Sequence, residues 1–256
     1  VLFALRIGPR FAKEYLMSDP VKLLQEYVDQ SKRIVFFGGA GVSTESGIPD
    51  FRSVDGLYNM KYKYPPETIL SHRFLYENPE EFYRFYREKL IFPDVKPNAA
   101  HTKLSELEAA GRLLAVVTQN IDGLHQAAGS RTVFELHGSV KRNYCVSCYK
   151  RYTQEELKKE KCVPRCSCGG MIRPDVVMYG EPLGEDVVEG AVDAIIRADL
   201  LLIAGTSLSV YPAAGLIGYA HRAKKVMINR SATPADDVCD LVIKGSVGEV
   251  LSRIKV

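Results

Sequence analysis

Apolar positions along this chain fall into short unbroken runs, and between them into stretches where they recur every three or four residues. Arg33-Ile34-Val35-Phe36-Phe37 stops at Gly38-Gly39, and Leu113-Leu114-Ala115-Val116-Val117-Thr118 stops at Gln119-Asn120. Thr132-Val133-Phe134-Glu135-Leu136 leads into His137-Gly138, and Leu200-Leu201-Leu202-Ile203-Ala204 into Gly205-Thr206-Ser207. Lys225-Val226-Met227-Ile228 ends at Asn229-Arg230, and Leu241-Val242-Ile243 closes the series. Runs without polar alternation predict strands buried on both faces of a parallel sheet. Helical spacing covers 21–30, with Asp19 as N-cap and Pro20 in the first turn, and also 98–110 and 185–197. The alternation predicts an α/β fold, a Rossmann-like doubly wound parallel sheet, with ligand at the carboxyl ends of its strands.

Two stretches break this rhythm. Residues 55–97 are dense in aromatics, among them Phe82, Tyr83, Phe85 and Tyr86, and read as helices and loops whose rings form a local core. Residues 141–175 hold five of the six cysteines. Both read as insertions, a helical module and a zinc module that together make a smaller domain. The Rossmann-type domain is then expected over 18–54, 98–140 and 176–256. Residues 1–17 are expected to be an N-terminal extension or a non-native leader, because Met17 before Ser18-Asp19-Pro20 resembles a start.

At 256 residues the chain can bury about three-quarters of its unfolded surface, so no metal or disulfide is needed for a stable core. The charge of +3, from 34 basic and 31 acidic residues, argues against a dedicated nucleic-acid domain. No apolar stretch reaches the ~18 residues of a transmembrane helix, and the N-terminus lacks a signal-peptide pattern. The expectation is a cytoplasmic protein with no membrane and no specific nucleic-acid partner.

Four of the clustered cysteines form two close pairs, Cys145-Val-Ser-Cys148 and Cys166-Ser-Cys168, with the spacing of a tetrahedral Zn²⁺ site. A four-cysteine site has no open position, so this zinc is structural. Cys162 is an alternative ligand to Cys166. Gly38-Gly39-Ala40-Gly41-Val42-Ser43-Thr44 follows a strand and reads as a phosphate-binding turn, with free N–H groups and a helix N-terminus facing an anion. It departs from the dehydrogenase fingerprint at Thr44, and the loop-like Ser46-Gly47-Ile48-Pro49-Asp50-Phe51-Arg52 stands where a second strand with an acidic end should follow. Gln119-Asn120-Ile121-Asp122 reads either as a polar turn with Asp122 capping a helix, or as a carboxamide-recognising site. His137 follows a strand at the ligand edge, whereas His72, His101, His125 and His221 read as core or surface residues.

These blocks together closely resemble the sirtuin family of NAD-dependent protein lysine deacylases, compact bacterial members in particular. The resemblance runs from Gly39-Ala40-Gly41-Val42-Ser43 through Asp50-Phe51-Arg52, Thr118-Gln119-Asn120-Ile121-Asp122 and Glu135-Leu136-His137-Gly138. It continues in Arg173-Pro174-Asp175-Val176-Val177, Tyr179-Gly180-Glu181 and Gly205-Thr206-Ser207-Leu208. It implies NAD as cofactor, one structural zinc on Cys145, Cys148, Cys166 and Cys168, and an acetylated lysine-containing protein or peptide as substrate. It implies His137 and Asn120 as catalytic residues, His137 as general base. NAD contacts are implied at Gly39, Ala40, Gly41, Thr44, Asp50, Phe51, Arg52, Gln119, Asn120, Ile121, Asp122 and His137, and at Gly205, Thr206, Ser207, Asn229 and Arg230. For Arg230 the alternative is a solvated surface charge. The peptide is expected to add as a strand along Val176, Val177, Met178, Tyr179 and Gly180, opposite Val210. No Tyr-x-x-Arg pair occurs between 55 and 97, which favours acetyl over acidic acyl groups. The competing functions are protein ADP-ribosylation, removal of longer acyl groups, a hydride-transferring dehydrogenase and a zinc-ribbon binding module.

Overall fold

The computed structural model describes residues 19–51, 56, 62–157 and 162–256. The expected leader over 1–17 and the cofactor contact Arg52 lie outside them. The strands are β1 (Ile34–Gly38), β2 (Leu113–Thr118), β3 (Val133–Glu135), β4 (Gly138–Cys145), β5 (Arg151–Thr153), β6 (Ile172–Val176), β7 (Leu200–Ala204), β8 (Lys224–Asn229) and β9 (Leu241–Lys244). Six of them form one parallel sheet in the order β3-β2-β1-β7-β8-β9. The chain winds outward from β1 to one edge, then returns to β7 beside β1 and winds to the other. The β1/β7 boundary is therefore the topological switch point, where such sheets open a ligand crevice.

The unbroken apolar runs are explained by two cores, one on each face. Ile34, Phe36, Leu200 and Leu202 point into a cluster closed by the helices Pro20–Gln30, Ala99–Ala109 and Val247–Ser252. Val35, Phe37, Leu201 and Ile203 point the other way, under the helix Glu185–Arg197. A strand with both faces buried leaves no position for a polar residue. Each such large side chain contributes roughly 1.5–3 kcal/mol by leaving water. The helices start where the sequence signals them. The Asp19 carboxylate accepts the Val21 N–H at 3.1 Å, with Pro20 in the first turn. Asn98 accepts the Ala100 N–H at 2.9 Å and forms a capping box with His101.

The smaller lobe has two parts. One is an antiparallel sheet in the order β5-β4-β6. The other is the helical run Pro66–Ile69, His72–Glu77 and Pro79–Lys89. Phe82, Tyr83, Phe85 and Tyr86 are buried with Val140, Met171, Val176 and Met178, so the aromatic run is the core of this lobe. The Tyr83 hydroxyl donates to the Ile172 carbonyl and ties helix to sheet. No helix among the described residues is long and apolar enough to cross a membrane.

His101 and His125 are buried, with ring centroids 4.7 Å apart. Three of their ring nitrogens, His101 Nε2 and both of His125, have no partner among the described residues. Burial therefore holds both rings neutral, and it lowers His125 to about 3 with His101 adding a smaller push. Above pH ~6.5 the ring is neutral folded or unfolded, so it contributes no pH dependence. Below that, only the unfolded chain takes up the proton, so stability falls as pH falls from ~6.5 toward 3. Urea unfolding is expected to show a midpoint that drops between pH 7 and pH 4.5, with a shallower drop in His125→Phe. Equal slopes in the two proteins would contradict this account.

Candidate active site

The turns leaving β1, β2, β3, β7 and β8 all open at the carboxyl edge of the parallel sheet, which brings most of the sequence-predicted residues to one side. The turn after β1 differs from expectation. Two 3₁₀ turns, Ala40–Val42 and Thr44–Ser46, follow it instead of an α-helix. Its amides are also largely used, with Gly39 N–H donating to the Ala204 carbonyl at 3.2 Å and Gly41 N–H to that of Gly205 at 2.8 Å. A Cβ on Gly39 would lie 2.8 Å from Thr206 Cβ, and one on Gly41 2.8 Å from Gly205 Cα. The glycines are thus required by main chain against main chain across the switch point, before any ligand is considered.

The turn after β2 carries a hydrogen-bonded series that fixes its polar groups. Ser43 has a single hydroxyl proton and donates it to Asp122 Oδ2 at 2.7 Å. It therefore accepts from Asn120 Nδ2 at 3.0 Å. Asp122 Oδ1 accepts the Leu124 N–H at 2.9 Å, the first amide of the short helix Leu124–Ala127, so this residue ties down the helix start and orients the site at once. Asn120 and Ser43 are both buried, and the Asn120 carboxamide oxygen keeps no partner among the described residues. Gln119 Nε2 donates to Thr206 Oγ1 at 3.0 Å, linking this turn to the one after β7. Ser43 and Thr206 are the anchors; of the two, only Thr206 was expected at the site. Ser43 stood inside the glycine-rich motif, but nothing in its spacing revealed its partners 77 and 79 positions away.

His137 lies where the chain leaves the parallel sheet at β3 and enters the antiparallel one at β4. Its Nδ1 is 2.9 Å from the Gln119 carbonyl oxygen. A carbonyl only accepts, so Nδ1 bears the hydrogen and Nε2 keeps its lone pair. Burial lowers the His137 pKa, opposed in part by that hydrogen bond, and the ring is neutral near pH 7. Gly138 has φ +75°, and a Cβ there would lie 2.0 Å from the Asp175 carbonyl oxygen. This crossing admits only glycine, and it sets the ring's direction.

Other expected residues are distributed as follows. Phe51 and Ile121 pack on the small-lobe core beside Val176 and Met178. Ser207 is exposed, with its hydroxyl 2.7 Å from that of Ser209. Asn229 Nδ2 donates to the Ser231 carbonyl at 3.0 Å. Arg230 is exposed, and its Nη2 and Nε donate to Ser246 Oγ at 2.9 and 3.2 Å. In the segment after β6, Val177 N–H donates to the His137 carbonyl at 3.0 Å. Tyr179 is already paired, its N–H to Leu70 and its carbonyl to the His72 N–H, both at 2.9 Å. The main chain of Tyr179 is thus already used, whereas the Val177 carbonyl and the main chain of Gly180 have no hydrogen-bond partner among the described residues. The Val210 carbonyl accepts the Ala214 N–H at 2.9 Å.

The sulfurs of Cys145, Cys148, Cys166 and Cys168 all lie within 4.8 Å of one another, and Cys162 is not in the group. The closest pairs are 3.5 Å for Cys145–Cys168 and 3.6 Å for Cys148–Cys166. A tetrahedron with Zn–S bonds of about 2.3 Å requires S···S separations of about 3.8 Å, so the four fit the ion. A Cβ on Gly170 would come 2.7 Å from Cys145 Sγ, so this glycine leaves the space they need. The N–H of Cys168 and then the Tyr152 hydroxyl, 3.0 Å from Cys166 Sγ, lower the Cys166 thiol to about 6.

The Sir2 family model matches residues 39–212. The chain is 57% identical over 242 residues to a protein of Clostridium perfringens named NAD-dependent protein deacetylase, covering 93% of this chain and 99% of that one. A solved Sir2 with a p53 peptide and NAD+ superposes with TM-score 0.82 at 42% identity, covering 91% of this chain and 96% of that one. Another, with a deacetylated p53 peptide and 3'-O-acetyl ADP ribose, gives 0.83 at 43% identity over the same shares.

Purified protein is expected to contain one equivalent of zinc. Cys145→Ser should lose it and melt at lower temperature, while Cys162→Ser keeps it. Zinc retained in Cys145→Ser by elemental analysis would refute this ligand set.

Proposed function

The chain belongs to the Sir2 family, and from that we propose that this cleft removes acetyl groups from protein lysines at the expense of NAD. The protein is an NAD-dependent protein deacetylase that acts on acetylated lysine-containing proteins or peptides. The observation that carries the reading is His137, with Nδ1 anchored on Gln119 and Nε2 free, beside the Asn120–Ser43–Asp122 series at the switch point.

When bound, NAD supplies an anomeric carbon with nicotinamide as leaving group, and its ADP-ribose part carries away the acetyl group. Asn120, Ile121 and Asp122 recognise the nicotinamide carboxamide. Asp122 is suited because each of its oxygens accepts one hydrogen bond here and has capacity for another. Gly39, Ala40, Gly41 and Thr44 line the path of the phosphates, with Gln119 and Thr206 bracing the two turns. Gly205, Ser207, Asn229 and Arg230 hold the ribose and adenine end. Asp50, Phe51 and Arg52 cover the nicotinamide side. Phe51, Ile121, Val176 and Met178 supply the apolar wall of the lysine tunnel and keep water from the reacting centre. His137 Nε2 accepts the proton of a ribose hydroxyl, as a buried neutral imidazole is fitted to do.

In this reading residues 18–54, 98–140 and 176–256 form the NAD-holding domain, and 55–97 with 141–175 the smaller one. One structural zinc on the four cysteines shapes the smaller domain. The exposed Cys162 thiol and the metal-binding arrangement of the other four clustered cysteines support a reducing, cytoplasmic setting.

His137→Ala is expected to fold, retain zinc and lose roughly 10²–10⁴-fold in deacetylation rate. Near wild-type turnover would remove the mechanism. Because His137 must be neutral and its pKa is lowered, the acid limb of kcat/KM should fall below pH ~6.5. A limb at or above pH 7 would contradict that. With an acyl-lysine peptide panel, nicotinamide release is expected to be fastest with acetyl and slow with succinyl, without NADH absorbance. ADP-ribose on the protein acceptor, seen by mass spectrometry, would favour the transferase reading instead.

A further inference from the structure

The geometry points to the Arg173–Glu181 pair as a latch that holds residues 176–180 in register for the incoming peptide, which makes both positioning residues for that substrate. This rests on the deacetylase reading above and specifies how its peptide site is kept in shape.

Arg173 sits on β6 and is 4% exposed. A guanidinium taken out of water is costly unless its donors are met. Its Nη1 donates to Glu181 Oε1 at 2.5 Å, and its Nη2 to Glu181 Oε2 and the Val176 carbonyl, both at 2.9 Å. Its plane also lies 5.7 Å from the centre of the Tyr144 ring on β4. The pairing is the bidentate form that fixes direction as well as distance.

Glu181 spends its remaining capacity on the segment it closes. Oε2 accepts the Met178 N–H at 2.9 Å, and the Glu181 N–H returns to the Met178 carbonyl at 3.0 Å. Gly180 turns between them with φ +90°. Oε1 also meets His72 Nδ1 at 2.6 Å, and the His72 N–H holds the Tyr179 carbonyl. Burial would raise the Glu181 carboxyl, but Arg173 and His72 override it and hold it at about 2, so the charge persists throughout the working range.

The consequence is directional. Main-chain partners already occupy one side of the segment, at His137 and at Leu70 and His72. Among the described residues the Val177 carbonyl and the main chain of Gly180 keep no hydrogen-bond partner. A strand added there by main-chain pairing is sensitive to register, since a slip of one residue exchanges its faces. Glu181 sets that register by gripping Met178, and Arg173 sets Glu181. Among the described residues no hydrogen bond or ion pair joins the turns after β1 and β7 to Arg173 or Glu181.

The test is steady-state kinetics of Glu181→Gln with NAD and an acetyl-lysine peptide, alongside zinc content. The expected result is a rise of about tenfold in KM for the peptide, a KM for NAD within about twofold of wild type, and one zinc retained. An unchanged peptide KM overturns the latch. Parallel loss of NAD affinity or zinc also overturns it, because that marks a general structural role. If Glu181→Gln does not fold, the double variant R173M/E181M removes both buried charges and refills the space, which such pairs tolerate. It leaves the Met178 N–H without its acceptor, so it should fold and show the same peptide-specific rise; wild-type KM there overturns the proposal. A wild-type protein that releases no nicotinamide from NAD and acetyl peptide would instead overturn the functional reading, so the two failures are distinguishable.

Discussion

The contact between two main-chain turns at the switch point governs the rest of this molecule. Gly39 and Gly41 lie so close to Gly205 and Thr206 that no side chain fits between them. Their amides close on the carbonyls of Ala204 and Gly205. β1 and β7 are adjacent and parallel, so their following turns leave the sheet side by side. Either the turns interlock or a gap opens in the centre of the cleft. Interlocking brings Ser43 near Asn120 and Asp122, and Thr206 near Gln119. The polar centre is therefore a product of main-chain packing, and its side chains are oriented before any ligand arrives.

A second constraint comes from the passage between sheets. The chain ends β3 at Glu135, turns at His137 and starts β4 at Gly138. One residue thus belongs to both lobes. Its ring is held by Gln119 in the turn after β2, and its carbonyl by Val177, just after β6 of the antiparallel sheet. The aromatic core of the helical module and the four-cysteine cluster act at a distance on that same point. They fix the antiparallel sheet from which the Val176–Glu181 segment departs.

Burial of neutral polar groups is a recurring expense here. His137 is kept as free base by the same desolvation that keeps His101 and His125 neutral. For His137 the neutral state is useful, since a base must be unprotonated to work. For the other two it brings acid sensitivity, and His101 Nε2 and both His125 nitrogens have no hydrogen bond among the described residues. Around Arg173 and Glu181 the charged state is kept instead, because each charge meets its full set of partners.

All six strands of the main sheet were legible from apolar runs, most plainly the central β1 and β7, which are buried at every position and carry no polar residue. The helix starts at Asp19 and Asn98 were legible too, since capping is local chemistry. So was the zinc set, because two short cysteine pairs have the reach of a tetrahedron, although only the folded cluster separates Cys166 from Cys162. The turn after β1 continues as two 3₁₀ turns where the glycines suggested an α-helix start, since glycine alone does not distinguish the two. Ser43, the pairing already made by Tyr179 and the grip of Arg173 on Glu181 were not legible at all. Local sequence determines which segments become strands, helices and metal-binding turns, because those depend on burial period and neighbours in the chain. Which hydroxyl meets which amide 77 positions away is decided only by the packing of the turns, because hydrogen bonds depend on tenths of an ångström that no spacing encodes.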